Sequence, residues 1–138
     1  MVGLVSSDRE DILMGMFHVN VTVANSADPT RSFRKEFWVD TGALYSYLPE
    51  DELEAIGVVP FGTRDMVVAD GRTDRRRIGV ANFKIDGHAE TVPCYVSFAP
   101  KGSFYLLGAT ALEAFGLDVD PSHKALKPTV SIIASAAS

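Results

Sequence analysis

The sequence is short of several things, and each shortage excludes something. It holds one cysteine, Cys94, in 138 residues, so no internal disulfide can form and no oxidising compartment is required. It holds no apolar run near the ~20 residues of a membrane-spanning helix. The opening residues, Met1 to Asp11, lack a basic start and are charged where the apolar stretch of a leader would sit. Positive charge is not in excess: 13 Lys and Arg stand against 18 Asp and Glu, for a net charge of −5, which leaves nothing to displace counterions from a nucleic-acid backbone. These absences predict a cytoplasmic protein without nucleic-acid or membrane partners. Histidine is sparse too. His18, His88 and His123 lie far apart and none stands at ligand spacing from Cys94, so no metal and no other cofactor is expected.

What is present suits one globular domain: 46% hydrophobic and 22% charged residues, with no linker or break in composition. Residues 1–13 read as a flexible lead-in, 14–133 as the domain, and 134–138 as a frayed tail. From Phe17 to Ala24 apolar and polar residues alternate, the period of a half-buried strand. A second strand over Phe33 to Val39 runs directly into Asp40-Thr41-Gly42-Ala43. Pro49 suits a first helical position, with Glu50, Asp51 and Glu52 at the positive end of the helix dipole and Gly57 as its stop. Asp70-Gly71 marks a hairpin between Met66–Ala69 and Arg77–Val80, and Asp86-Gly87 a second between Ala81–Ile85 and Ala89–Phe98, because tight turns favour residues tolerant of positive φ. Ser103 to Leu107 reads as a buried strand, Thr110 and Glu113 as a capping box opening a second short helix that Gly116 closes, and Leu126 to Ile133 as a further strand. The class is mostly β with one or two short helices.

One echo runs through the chain. Leu53-Glu54-Ala55-Ile56-Gly57-Val58 returns as Leu112-Glu113-Ala114-Phe115-Gly116-Leu117, each after a strand and a Gly-Ala pair. Either two half-units share a plan, or two helices share common residues.

The chemistry concentrates in Phe37-Trp38-Val39-Asp40-Thr41-Gly42-Ala43. A carboxyl there ends an apolar strand and is followed by small residues that leave room around it. Burial disfavours its charged form, and a second carboxyl within hydrogen-bond range does the same, so that two acids share one proton. The ionised member can then take a proton from water while the protonated member gives one to a carbonyl oxygen. Asp-Thr-Gly alone is a weak signal, and an isolated match would more often be a turn ending a strand. The context adds to it. Val39-Asp40-Thr41-Gly42-Ala43, then a hairpin, then Leu106-Leu107-Gly108 resembles the retroviral-type, or retropepsin-like, aspartic proteases, and in particular their single-domain bacterial and archaeal members. The stretch from Leu112-Glu113 through Gly116 to Pro121 is similar to theirs, and the likeness spans roughly residues 15 to 128.

That resemblance implies a single-lobed, closed β-barrel of the acid-protease fold, acting on peptide or protein substrates as an endopeptidase. It implies that Asp40 is the catalytic acid, that Thr41 locks two active-site loops together across a dimer axis, and that Gly42 offers backbone groups to the acids and the substrate. It implies a flap from about Met66 to Gly79, with Val68, Ala69, Asp70 and Gly71 over the substrate, and substrate-side positions at Ala43, Leu107 and Gly108. Two departures stand out. Leu44 and Tyr45 occupy positions where viral enzymes often carry acids, and Ala109 one where they carry arginine, so an ion-pair network near the dimer interface is missing on both sides. A homodimer is expected on chemical grounds as well, because two carboxylates are needed and the chain has one Asp-Thr-Gly. The alternative is a peptide-binding or scaffold domain of the same fold without hydrolysis.

Four other features complete the reading. Cys94, among Val92, Pro93, Tyr95 and Val96, reads as a buried, inert thiol. Arg72, Arg75, Arg76 and Arg77 read as a solvated hairpin, ahead of selectivity for acidic peptides. Trp38 reads as core. Tyr45 and Tyr47, two apart, put one face toward a substrate groove and the other toward the interior.

Overall fold

The computed structural model describes residues 16–67 and 70–130; the expected lead-in and frayed tail, and Val68 and Ala69, lie outside them. Alternation shapes the first hairpin. In β1 (His18–Ala24) Val21 and Val23 are fully buried, and in β2 (Ser32–Val39) Phe37 and Val39 turn inward. The two pair antiparallel from His18 opposite Trp38 to Ala24 opposite Ser32. Their turn is held by the Asn25 side chain, whose Oδ1 accepts from the amides of Ala27 and Asp28. This is the local bonding that makes asparagine a turn residue.

The chain continues through β3 (Ser46–Pro49), helix α1 (Glu50–Ala55), β4 (Gly62–Val67), β5 (Thr73–Ile85), β6 (Thr91–Ala99), β7 (Leu106–Leu107) and helix α2 (Ala109–Phe115), and ends in a ribbon of β8 (Leu117–Asp120) and β9 (Ala125–Pro128). The main sheet has the order β1-β2-β7-β3-β6-β5-β4. β5 also pairs with β1, from Val21 opposite Ile85 to Ala24 opposite Asn82, so the pairing returns to its start and closes a barrel, with β4 as an outer strand. The 13 residues of β5 make this possible, since its first half serves β4 and its second half serves β6 and β1. The runs read in sequence as two strands, Arg77–Val80 and Ala81–Ile85, are therefore one.

β7 is short but central. It lies parallel to β2 and antiparallel to β3, wedged between strands that enclose the Asp40 loop. The buried strand expected over Ser103 to Leu107 is reduced to these two residues: Leu106 pairs with both Trp38 of β2 and Tyr47 of β3, and Leu107 with Val39 of β2. Side-chain alternation across the three strands makes two layers. Val39, Leu107 and Leu48 join the interior with Phe37, Phe83 and Phe98, while Trp38, Leu106 and Tyr47 cluster with Ala99 and Met66 on the opposite face. Each large side chain buried in the interior is worth roughly 1.5–3 kcal/mol of apolar transfer.

The helices depart from expectation at their starts and agree at their ends. Pro49 is the last residue of β3 and stands just before the first turn of α1. The capping box is overturned. α2 starts at Ala109 after Gly108, no side chain caps it, and the Thr110 hydroxyl donates instead to the Leu44 carbonyl at 2.8 Å. A tertiary acceptor has taken the hydroxyl that a local cap would have used. Both helices stop at left-handed glycines, Gly57 at φ 78° and Gly116 at φ 66°.

The echo has a structural counterpart: β3–α1 and β7–α2 are neighbouring strand–helix units, with Leu53 and Leu112 buried at matching places. The Gly-Ala pairs do not correspond, for Gly42-Ala43 precedes β3 and Gly108-Ala109 follows β7. The tail strand expected over Leu126 to Ile133 is β9, and its partner β8 was not expected; residues 131–133 lie outside the described ones. Among the described residues no helix is long and apolar enough to cross a membrane.

Candidate active site

β2 delivers Asp40 to a point where three backbone donors are already committed. The amide of Trp38 donates to the Tyr105 carbonyl at 2.9 Å, that of Val39 to Phe17 at 3.0 Å, and that of Asp40 to Leu107 at 3.0 Å. The chain then reverses. The amide of Ala43 donates to the Asp40 carbonyl at 3.1 Å, and the amide of Gly42 donates to Asp40 Oδ1 at 3.0 Å. A Cβ at position 42 would lie 3.3 Å from that same oxygen, so glycine keeps the approach open. Asp40 is 6% exposed, whereas Thr41 and Gly42 beside it are exposed and Leu44 is 61% exposed. The acid is sunk, and the apex of its loop is bare.

The loop is clasped from behind by β7 and the first turn of α2. The Gly108 amide donates to Ser46 Oγ at 3.1 Å, Ala109 to the Ala43 carbonyl at 2.7 Å, and Thr110, by both amide and hydroxyl, to the Leu44 carbonyl at 3.0 and 2.8 Å. Where the resemblance implies missing charges, at Leu44 and Ala109, backbone groups and one threonine thus tie the loop to α2: Leu44 is bonded by Thr110, and Ala109 bonds Ala43.

In front of the loop lies a cavity of about 300 Å³. Tyr47 and Leu106, abreast on neighbouring strands, are two of its residues; the loop from Gly42 to Tyr45 forms one wall. The β4–β5 hairpin forms the other, through Met66 and Val67 with Asp65, Asp74 and Arg76. Of the residues singled out in sequence, Asp40, Thr41 and Gly42 come together in one turn and Ala43 lines the cavity. Leu107 faces the interior and offers the site its carbonyl, Gly108 packs under Tyr45, and Asp70 and Gly71 form the hairpin's turn without lining the cavity. Val68 and Ala69 lie outside the described residues. Met66, Asp74, Arg76 and Leu106 were not picked out as lining. Alternation along the strands is the signal for them, but it needs the pairing partner to tell which face is which.

Arg72, Arg75, Arg76 and Arg77 of the hairpin are each ion-paired: Arg72 with Asp70, Arg75 with Asp65 at 2.9 Å, Arg76 with Asp74 at 2.8 Å, and Arg77 with Glu54 at 3.2 Å. The hydrogen bonds from Arg75, and from the backbone and side chain of Arg72, hold the Asp65 and Asp70 carboxyls below the usual carboxylate range. Burial pushes the Tyr47 phenol up to about 12 and does the same to the Cys94 thiol, which is 4% exposed. Trp38 packs against His18 with ring centroids 3.7 Å apart and the planes tilted by 40°, at the edge of the outer cluster. Among the described residues no three His, Cys, Asp or Glu side chains gather to hold a metal ion.

Against known proteins, residues 32–114 match the family model described as gag-polyprotein putative aspartyl protease. No curated protein matches the sequence. Among solved structures, the EIAV protease bound to the inhibitor HBY-793 is similar at a TM-score of 0.56 with 15% identity, over 78% of this chain and 95% of that one. The retroviral protease-like domain of Ddi1 from Leishmania major is similar at 0.52 with 20% identity, over 82% and 87%. The foamy viral protease-reverse transcriptase is similar at 0.50 with 16% identity; 84% of this chain is covered, and it spans 13% of the viral one. Identities this low show a common fold.

Proposed function

Because the chain belongs to the gag-polyprotein aspartyl protease family, we propose that it is an aspartic endopeptidase that works as a homodimer, with the Asp40 carboxylates of two copies forming the catalytic pair. The observation that carries this is the contrast at the loop: Asp40 is buried and pinned by the Gly42 amide, while Thr41, Gly42 and Leu44 beside it are exposed. A half-site has this form. A two-fold axis through the apex sets one loop against its copy and brings two identical acids together.

In that assembly the paired carboxyls share a proton. The ionised one takes a proton from water as the water oxygen bonds to the peptide carbonyl carbon, and the protonated one gives its proton to the carbonyl oxygen. The tetrahedral diol then collapses, the C–N bond breaks and a proton passes to the leaving nitrogen. One water is consumed, and an acid and an amine result. Thr41 bonds across the axis, Gly42 meets the substrate backbone, and the β4–β5 hairpin serves as a flap, with Val68 to Gly71 over a peptide that pairs as an added strand. Leu107 and Gly108 support the loop from below.

The test is cleavage of a mixed peptide library. Wild type should cleave, with specific activity rising with protomer concentration, and Asp40→Asn should not. Equal cleavage by the variant would end the reading, and dimerisation without turnover from pH 3 to 7 would favour a peptide-binding domain.

A further inference from the structure

Tyr47 differs from the buried serines. Ser46 Oγ accepts from the Gly108 amide and Ser97 Oγ donates to Met66 Sδ. Tyr47 is 3% exposed, yet its hydroxyl has no hydrogen-bond partner among the described residues. An unpaired buried hydroxyl carries its full desolvation cost, and phenylalanine would fill the place without it. The ring belongs to the cavity beside the Asp40 loop, with apolar surface from Leu106, Met66 and Tyr45 around it. The Asp74–Arg76 ion pair lies in the same lining and is near enough to bear on the ionisation of Tyr47. Burial keeps the phenol neutral, with its proton available to donate. Asp74 gives one hydrogen bond's worth of its capacity to Arg76 Nε, and a carboxylate has about four acceptor sites.

We propose that this cavity is a specificity pocket for an uncharged amide side chain of the substrate, glutamine or asparagine, with the amide oxygen accepting from the Tyr47 hydroxyl and the amide nitrogen donating to Asp74. This rests on the protease reading above. An apolar side chain would leave the hydroxyl buried and unpaired, the situation in which hydrogen-bonding sites discriminate most strongly. A charged one would enter a mostly apolar space where Asp74 and Arg76 already neutralise each other, and would lose its hydration without a counter-charge. An amide carries both the acceptor and the donor that the lining lacks.

The experiment uses nonapeptides on an apolar background in which Gln, Asn, Met or Leu is placed at each position in turn. Cleavage is read with wild type and Tyr47→Phe, and binding with Asp40→Asn and with the double variant. At one position wild type should favour Gln or Asn over Met and Leu by about tenfold, the effect of one such hydrogen bond. Tyr47→Phe should lose or reverse that preference, with the change in KM and in binding rather than in kcat. Equal handling of Gln and Met by wild type, or a preference that survives Tyr47→Phe, overturns the pocket. Cleavage without discrimination sinks the pocket and leaves the protease. Discriminating binding without cleavage does the opposite, and neither binding nor cleavage sinks both. A melting temperature for Tyr47→Phe at or above wild type establishes that a changed profile is not misfolding.

Discussion

Gly108 omits a side chain at the place where the backbone of Tyr45 passes: a Cβ there would stand 2.6 Å from both the carbonyl carbon and the oxygen of Tyr45, and 2.9 Å from the Ala43 oxygen. Its φ of −92° is open to any residue, so the need for glycine is steric. Gly108→Ala should drive the Asp40 loop off β7 and α2, stretching the Ala109–Ala43 and Thr110–Leu44 hydrogen bonds. Overpacking of this kind costs about 1–3 kcal/mol. Denaturant titration should show that loss, and peptide cleavage should fall further than the folded fraction does.

Tyr47→Phe should move stability the other way. Removing a buried hydroxyl that no described residue satisfies relieves a desolvation cost without opening a cavity. A gain of about 1 kcal/mol is expected in the peptide-free protein. Thermal or urea unfolding reads it, and a loss of stability would mean that the hydroxyl is satisfied in solution.

The β4–β5 hairpin should loosen in acid. The Asp65 and Asp70 carboxyls have pKa values below their ordinary 3.8 because they are bonded to Arg75 and Arg72. A carboxyl depressed in the folded state stabilises it above the unfolded value, and that contribution is lost as pH falls through the folded value. The window therefore lies below about pH 3.8. Both pairs are on the surface, so the effect is small and screened by salt. Amide exchange should show hairpin protection falling between pH 4 and pH 2 at low ionic strength, and Arg75→Ala should blunt the fall.

Cys94 should resist modification in the native protein. It is buried and its thiol is raised to about 12 by desolvation, and the thiolate is the reactive form. Iodoacetamide at pH 8 should label it only as fast as the protein unfolds. Rapid labelling under native conditions would contradict its place in the core.

Much of the candidate site's local geometry was legible because it is contiguous. Asp40, Thr41 and Gly42 form one turn, and strand alternation toward Val39 sets the depth of the acid. Leu106-Leu107-Gly108 could be linked to that turn only through the family resemblance, since nothing within a few residues says that β7 lies between β2 and β3. The capping box failed for the same reason, because Leu44 is 66 residues from the Thr110 hydroxyl it receives. Alternation predicted that Tyr45 and Tyr47 share a face of the chain. It did not reveal that the Tyr47 hydroxyl is left unpaired, or that Asp74 and Arg76 lie in the same cavity.

By itself the sequence determined what short-range chemistry controls: strands by their period, turns by their glycines and aspartates, helix ends by Gly57 and Gly116, and an acid at the end of an apolar strand. Only the tertiary structure decided the barrel's closure through the β1–β5 pairing, the clasp of α2 on the Asp40 loop, the pairing of the hairpin arginines, and the cavity with its buried phenol. The physical reason is distance along the chain. Local preferences act over a few residues, while hydrogen bonds and packing between residues tens of positions apart exist only once the whole sheet has formed.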